Sequence, residues 1–203
     1  MSIRVVNLSK LISYDAPGVF RRIDPELEAE LTRYPETNER LIGCLSFCGQ
    51  MGSQNDELAS QEDAAKRSKY LRAALSEFAS LDEAAKLDLD GTDRECPRIL
   101  SSDDPRLHIV RLLRHANVHL TASKVHRKSK PAVWADHEFD FQVLYATELD
   151  ESIRETIQAS NYQPDDLSAM IDWIETEQME WGLDHLILKT AEVYVRELLQ
   201  TRT

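Results

Sequence analysis

The stretch PRLHIVRLLRHANVHLTASK, residues 105–124, decides the fold. Asp104 followed by Pro105 is typical of a helix start, because a capping carboxylate precedes a proline at the first helical position. Apolar residues then recur at helical spacing. They are Ile109, Leu112, Leu113, Ala116 and Leu120. The stretch therefore predicts a long helix with one face in the core.

Further helical patterns lie on both sides of this stretch. Apolar spacing, capping residues and prolines predict helices over about residues 24–34, 35–51, 56–87, 150–160 and 164–199. Gly182 favours a bend in the last of them, and residues 88–103 have the composition of a loop. The first 23 residues have no clear period.

After residue 130 the sequence changes from helical spacing of apolar residues to a pattern typical of β-strands. The segments 132–135 and 139–145 are short, aromatic and β-branched, which predicts a β-hairpin over about residues 131–147 that turns near Asp136-His137. The predicted fold is therefore all-α, a helical bundle with a small hairpin insertion. We expect one domain over residues 1–203, with a helical core over about 24–124 and 150–200.

Composition narrows the class of protein. The 203 residues are 42% hydrophobic and 30% charged, as in soluble globular domains, and no apolar run is long enough to span a membrane. The first residues lack a secretory signal, and three cysteines with no framework spacing fit a reducing compartment. We therefore expect a cytoplasmic protein without a membrane partner.

Charge is distributed unevenly along the chain. Residues 106–130 hold seven Lys or Arg, four of the six histidines and no Asp or Glu, whereas the whole chain carries a net charge of −12. The remaining residues therefore carry −19. A segment rich in arginine and histidine within an acidic chain predicts a site for an anion, since arginine binds phosphate and histidine exchanges protons near neutral pH.

The two most informative side chains in this segment are Arg114 and His119. On an ideal helix they point about 140° apart and lie about 7.5 Å apart along the axis. Arg111 and His115 share an arc with His119, whereas Arg114 lies away from it. One straight helix does not direct both groups at one phosphate, so we expect a C2 dimer that brings Arg114 of one chain to His119 of the other.

This pattern resembles a known family. Arginine, a polar residue, three more residues and histidine, on a late helix of an all-helical bundle, resemble the R-x4-6-H motif of HEPN domains, and the polar residue here is His115. The resemblance covers the motif and, loosely, the helical stretch from Glu36 to Lys124 plus a closing helix. The chain differs from a minimal HEPN domain by its hairpin and by about 80 residues after the motif, which indicates additional surface for a substrate or partner.

The resemblance implies a dimeric, metal-independent endoribonuclease with no cofactor, of a kind often found among toxins and phage-defence proteins. The 2′-hydroxyl of RNA would attack the adjacent phosphate, with His119 as general base or acid and Arg114 stabilising the phosphorane. Asn117 or His115 would orient the substrate or the histidine. RNA and a second copy of the chain are the expected partners, and an antitoxin protein is a further one.

Basic residues beside the motif extend the expected RNA surface. Arg111 lies on the motif helix, and Lys124, Arg127, Lys128 and Lys130 form a run that we interpret as a loop before the hairpin. These side chains would guide the RNA backbone, and a nearby Trp134 would stack on a base. A solvated charged loop is the alternative interpretation.

Other interpretations remain open. The chain could be a non-catalytic helical module that binds RNA or protein, or a structural oligomerisation domain in which acidic residues pair with the motif. Cys44 and Cys48 could form a zinc site with His115 and His119, but their apolar neighbours favour core packing, so we assign no metal. Residues 136–184 hold fourteen acids and one base, and form either a solvated face or a surface that repels RNA or docks on the basic segment.

Overall fold

The fold is mainly helical with one two-stranded antiparallel sheet, as predicted, in a computed structural model that describes residues 3–14, 23–52, 61–116, 124–134 and 137–201. The elements are α1 (Pro25–Leu31), α2 (Pro35–Gly52), α3 (Gln61–Ala79), α4 (Leu81–Asp88), α5 (Pro105–Ala116), β1 (Val125–Trp134), β2 (His137–Ala146), α6 (Leu149–Arg154), α7 (Pro164–Trp181) and α8 (Leu183–Gln200). Short 3₁₀ turns cover Leu8–Lys10, Ile99–Ser101 and Ile157–Asn161.

Helices α5 and α8 form the centre of the bundle. Eight of the twelve residues of α5 and twelve of the eighteen residues of α8 are buried. α5 packs against α3, α6, α7 and α8, so its buried surface is wider than the single apolar face that the sequence predicts. Leu107 and Val110, which lie outside the predicted apolar face, are fully buried as well. Within the described ranges, no helix has both the length and the apolar character needed to cross a bilayer.

Capping residues start two helices as the sequence predicts. The Asp24 carboxylate accepts a hydrogen bond from the backbone N–H of Glu26 at the start of α1. The Asp104 carboxylate accepts one from the backbone N–H of Arg106 in the first turn of α5. Each carboxylate therefore satisfies an N–H group that has no partner within its helix.

The helix predicted over residues 56–87 is interrupted at Ser80. α3 ends at Ala79 and α4 begins at Leu81, and residues 56–60 lie outside the described ranges. The Ser76 carbonyl oxygen accepts hydrogen bonds from both the backbone N–H of Ser80, at 3.1 Å, and its hydroxyl, at 2.9 Å, and such a side-chain bond bends helices. Leu71, Leu75, Phe78 and Leu81 are fully buried, as predicted.

The predicted bend at Gly182 is a complete break between α7 and α8. Gly182 has φ 92°, a left-handed conformation that favours glycine. A Cβ at this position would lie 2.6 Å from the Asp184 Oδ1 atom and 3.3 Å from the Leu144 backbone nitrogen. Glycine therefore allows α8 to turn away from α7 and to pack closely against the hairpin.

The hairpin is longer than predicted and contains the basic run. β1 begins at Val125, and its pairing with β2 extends without interruption from Val125↔Ala146 to Trp134↔His137. The interpretation of residues 124–130 as a loop is therefore wrong from Val125 onward. Strand partners on β2 and the burial of Val125 stabilise an extended conformation that the charged side chains of this run do not predict.

The N-terminal segment lies across the bundle although it has no periodic pattern. The backbone N–H of Arg4 donates to the Asn161 carbonyl oxygen at 2.8 Å, and that of Asn7 donates to the Asp103 carbonyl oxygen at 2.7 Å. Further along, the indole N–H of Trp173 on α7 donates to the Ile12 carbonyl oxygen at 3.1 Å. These bonds bring the start of the described chain next to α5.

Candidate nucleic-acid interface

The last turns of α5 carry basic side chains on the one strip of the helix that the bundle leaves uncovered. Arg114 is exposed, and Arg111 and His115 are half-buried. Residues three and four positions apart are neighbours on a helix, so Arg111 lies beside both Arg114 and His115.

A fourth basic side chain, Arg4, reaches the same surface from the N-terminal segment. Its guanidinium donates to the Tyr162 hydroxyl at 3.1 Å, and its Cζ atom lies 5.5 Å from the centre of the Tyr162 ring. The charge of Arg4 contributes to lowering the pKa of both Arg111 and His115, which places it close to them. We call Arg4, Arg111, Arg114 and His115 the α5-end cluster.

A buried histidine holds Tyr162 in place. His108 is 1% exposed, and its Nε2 lies 2.8 Å from the Ser102 carbonyl oxygen. Because a carbonyl only accepts, Nε2 carries the proton. Burial lowers the pKa of His108, so the ring is neutral and Nδ1 accepts the hydrogen bond from the Tyr162 hydroxyl at 2.9 Å. The hydroxyl thus donates to His108 and accepts from Arg4.

The positive charge of the α5-end cluster favours binding of an anion. Burial, followed by the charges of Arg114, Arg111 and Arg4, lowers the pKa of His115, so this imidazole is neutral at pH 7. Burial also lowers the pKa of Arg111, and the charge of Asp82 partly opposes this effect. Within the described ranges, no carboxylate lies within ion-pair distance of Arg4, Arg111 or Arg114. A bound phosphate would offset the mutual repulsion of the positive charges in this cluster.

The Arg111 side chain is held more firmly than an exposed side chain that guides RNA would be. Its Nη1 donates to the Ala79 carbonyl oxygen at the end of α3, and its buried Nε has no hydrogen-bond partner among the described residues. The guanidinium therefore caps the C-terminus of α3. Its charge still contributes to the field at His115.

Of the predicted catalytic pair Arg114 and His119, only Arg114 lies within the described ranges. His119 and Asn117 lie in residues 117–123, outside the described ranges. The structure therefore places Arg114 and His115 of the four predicted catalytic residues. The dimeric pairing of Arg114 with His119 stays a prediction.

The basic run on β1 makes contacts within the chain. Lys124 pairs with Glu148 at 2.7 Å, and Lys130 pairs with Glu180 at 2.6 Å. The Arg127 guanidinium donates to the carbonyl oxygen of Met51 at the end of α2. Among the described residues, no ion pair involves Lys128. Acidic residues of the segment 136–184 thus pair with two of the five predicted RNA-guiding side chains.

The two cysteines four positions apart belong to the core, as the sequence favours. Cys44 and Cys48 are fully buried on α2. In the part of the chain that the structure describes, no three or more His, Cys, Asp or Glu side chains form a group suited to a metal ion. Core packing of these cysteines is therefore confirmed.

Sequence reasoning missed Arg4 and its support from Tyr162. Arg4 lies more than a hundred residues before α5, in a segment without a pattern, so only the tertiary fold reveals its position. His108 is a core histidine, and both of its ring nitrogens are hydrogen-bonded. Comparison with known proteins adds nothing to this site, because no family model, curated protein or solved structure matches the chain.

Proposed function

We propose that the α5-end cluster binds RNA phosphates and that the protein is a HEPN-like, metal-independent endoribonuclease. The observation that carries this proposal is the group of three guanidinium side chains beside a neutral imidazole, with no carboxylate at ion-pair distance from the guanidinium groups among the described residues. Guanidinium groups bind phosphate oxygens through paired hydrogen bonds, and a neutral imidazole accepts or donates a proton.

The proposed reaction is an internal transfer at phosphorus. The 2′-oxygen of one ribose forms a bond to the adjacent phosphorus as its proton passes to a general base, and the bond from phosphorus to the 5′-oxygen breaks as that oxygen takes a proton from a general acid. His119 is the proposed base or acid, and Arg114 stabilises the added negative charge on the phosphorane. His115 or Asn117 orients the substrate. The products carry a 2′,3′-cyclic phosphate and a 5′-hydroxyl.

A second copy of the chain completes the proposed site. Arg114 lies in the last described turn of α5, five positions before His119, so a C2 dimer with α5 at its interface would supply the two groups from different chains. We propose a role as a toxin or in phage defence, with an antitoxin protein as a further partner.

Non-catalytic binding of RNA is the second candidate. Tyr162 holds Arg4 and the Ala79 carbonyl oxygen holds Arg111, so the cluster would bind phosphate even in a chain that does not cleave it. Binding that weakens steeply with salt, without cleavage, is the expected behaviour of such a module.

Incubation with RNA in EDTA separates these candidates. Wild type is expected to release fragments with 2′,3′-cyclic phosphate ends, and Arg114→Ala and His119→Ala are expected to lose this activity. Lys86→Ala removes an exposed charge on α4 and serves as the matched control, with activity unchanged. Full activity of both variants at the motif would refute the proposal. Absence of cleavage by wild type, with tight binding, would select the second candidate.

A further inference from the structure

A cavity of about 250 Å³ lies between the C-terminal turn of α8 and the chain that precedes α5. Its lining includes Glu95 and Arg98 from the loop after α4, Ser101 and Ser102 from the turn before α5, and Glu197 from α8. Pockets for drug-sized molecules occupy roughly 300–1,000 Å³, so this cavity has the size for a ligand of only a few heavy atoms. It shares no residue with the α5-end cluster.

The lining of this cavity carries charges of both signs. Glu95 and Glu197 contribute carboxylates, and Arg98 contributes a guanidinium. Among the residues that the structure describes, none of these three side chains forms an ion pair, either with one another or with a further residue. Opposite charges therefore border one cavity without pairing directly, which favours a ligand that carries both charges itself.

Glu197 is the half-buried charge of this lining. One oxygen of its carboxylate accepts a hydrogen bond from the Ser102 hydroxyl at 2.6 Å, and no other hydrogen bond to this carboxylate comes from the described part of the chain. Burial raises the pKa of Glu197, and the charges of Asp104 and Asp103 add to this effect, although the Ser102 bond partly opposes it. A bound ammonium group would offset both the burial and the neighbouring negative charges, because an opposite charge favours the ionised carboxylate.

The walls of the cavity are held by contacts within the chain. The Tyr194 hydroxyl donates to the Pro97 carbonyl oxygen at 2.9 Å, which fixes the loop on one side. The Arg94 guanidinium donates to the Thr201 carbonyl oxygen at 2.8 Å, which fixes the end of α8 on the other. Groups that are already oriented lose little conformational entropy when a ligand binds.

We propose that this cavity binds a small free amino acid, with its ammonium group at Glu197 and its carboxylate at Arg98. An amino acid carries these opposite charges on adjacent atoms of one small molecule, and hydrogen bonds between charged groups are stronger than those between neutral ones. The inference does not rest on the proposed cleavage of RNA, because the cavity and the α5-end cluster have no residue in common.

Titration of the full chain with L-alanine, followed by NMR of the backbone amides, tests the proposal. Two further probes each lack one charged group: L-alaninamide has no carboxylate, and propionate has no ammonium group. Alanine is expected to bind about tenfold more tightly than either, because each of them loses a hydrogen bond between charged groups. The amide signals of Ser101 and Ser102 should shift until they saturate, since these residues line the cavity.

Substitutions that remove one charge test the assigned contacts. Glu197→Gln and Arg98→Gln should each weaken alanine binding by about tenfold. Glutamine at position 197 still accepts from the Ser102 hydroxyl, and circular dichroism checks that the variant is folded. Glu138→Gln on β2 and Lys69→Gln on α3 remove exposed charges, so they are the matched controls and should bind like wild type.

Three results would each overturn the proposal. The first is the absence of saturable amide shifts with alanine at millimolar concentration. The second is binding of alaninamide or propionate as tightly as alanine. The third is wild-type affinity for alanine in either Glu197→Gln or Arg98→Gln.

Discussion

Replacing Tyr162 by phenylalanine removes one hydroxyl that two other groups depend on. This hydroxyl donates to the Nδ1 atom of His108 at 2.9 Å and accepts from the Arg4 guanidinium at 3.1 Å. Tyr162 is 4% exposed and His108 is 1% exposed, so water does not easily replace the lost donor. The phenyl ring keeps the apolar packing, which restricts the change to hydrogen bonding.

The expected cost is about 1–3 kcal/mol of unfolding free energy, the penalty for a buried polar group left without its partner. Most of this cost arises at His108, since Arg4 is half-buried and reaches solvent. The Arg4 guanidinium also loses its acceptor, so RNA affinity should fall, but by less than in Arg4→Ala, which removes the charge itself.

Urea denaturation followed by circular dichroism measures this effect. Tyr70→Phe is the matched control, because Tyr70 is half-buried and stacks on Phe47 without a hydrogen bond from its hydroxyl in the described part of the structure. The control should change stability by less than about 0.5 kcal/mol. A Tyr162→Phe chain as stable as this control would refute the network that we describe between Arg4 and His108.

Three further predictions concern a backbone position and two histidines. Gly182→Ala should cost about 1–3 kcal/mol in thermal or chemical denaturation, because φ is 92° and the new Cβ would meet the Asp184 carboxylate; unchanged stability would contradict this geometry. Burial lowers the pKa of His108 in the folded state, so the unfolded chain takes up its proton first as pH falls below about 6.5, and stability is lost. Denaturation of His108→Gln should lack this component, and an identical pH profile would contradict the assignment. For His115, NMR titration should show a pKa below its ordinary value that rises when RNA is added, since the phosphate offsets the charges of the neighbouring arginines; a pKa that does not respond to RNA would place the anion elsewhere.

The sequence predicts most of the helical architecture because apolar periodicity and capping residues act locally. Asp104 and Pro105 start α5 where expected, and Leu112 and Leu113 are buried in the core. The break at Ser80 was not predicted. A single hydroxyl that bonds a backbone carbonyl leaves the apolar spacing around it unchanged.

The first part of β1, residues 125–130, could not be predicted from its own residues. Arg127, Lys128 and Lys130 are typical of a solvated loop, and their extended conformation depends on pairing with β2. The same tertiary contacts explain why Lys124 and Lys130 are ion-paired within the chain and why the Arg127 guanidinium donates to the end of α2.

The candidate site was predicted in part. Arg114 and His115 were identified from their position on a helix in a segment free of acids. Arg4 was not, because its place beside α5 depends on a hydrogen bond to Tyr162 and on backbone pairing with Asn161. Such contacts between distant parts of the chain leave no periodic signal.

The salt dependence of RNA binding tests most directly whether the α5-end cluster binds phosphates. A short RNA with 2′-O-methyl groups at every position does not undergo the proposed cleavage, so fluorescence anisotropy reports binding alone. The slope of log Kd against log salt should decrease by about 0.7 in Arg114→Gln and again in Arg4→Gln, one phosphate contact for each charge removed. Lys86→Gln should retain the wild-type slope. Wild-type affinity and slope in both arginine variants would contradict the account.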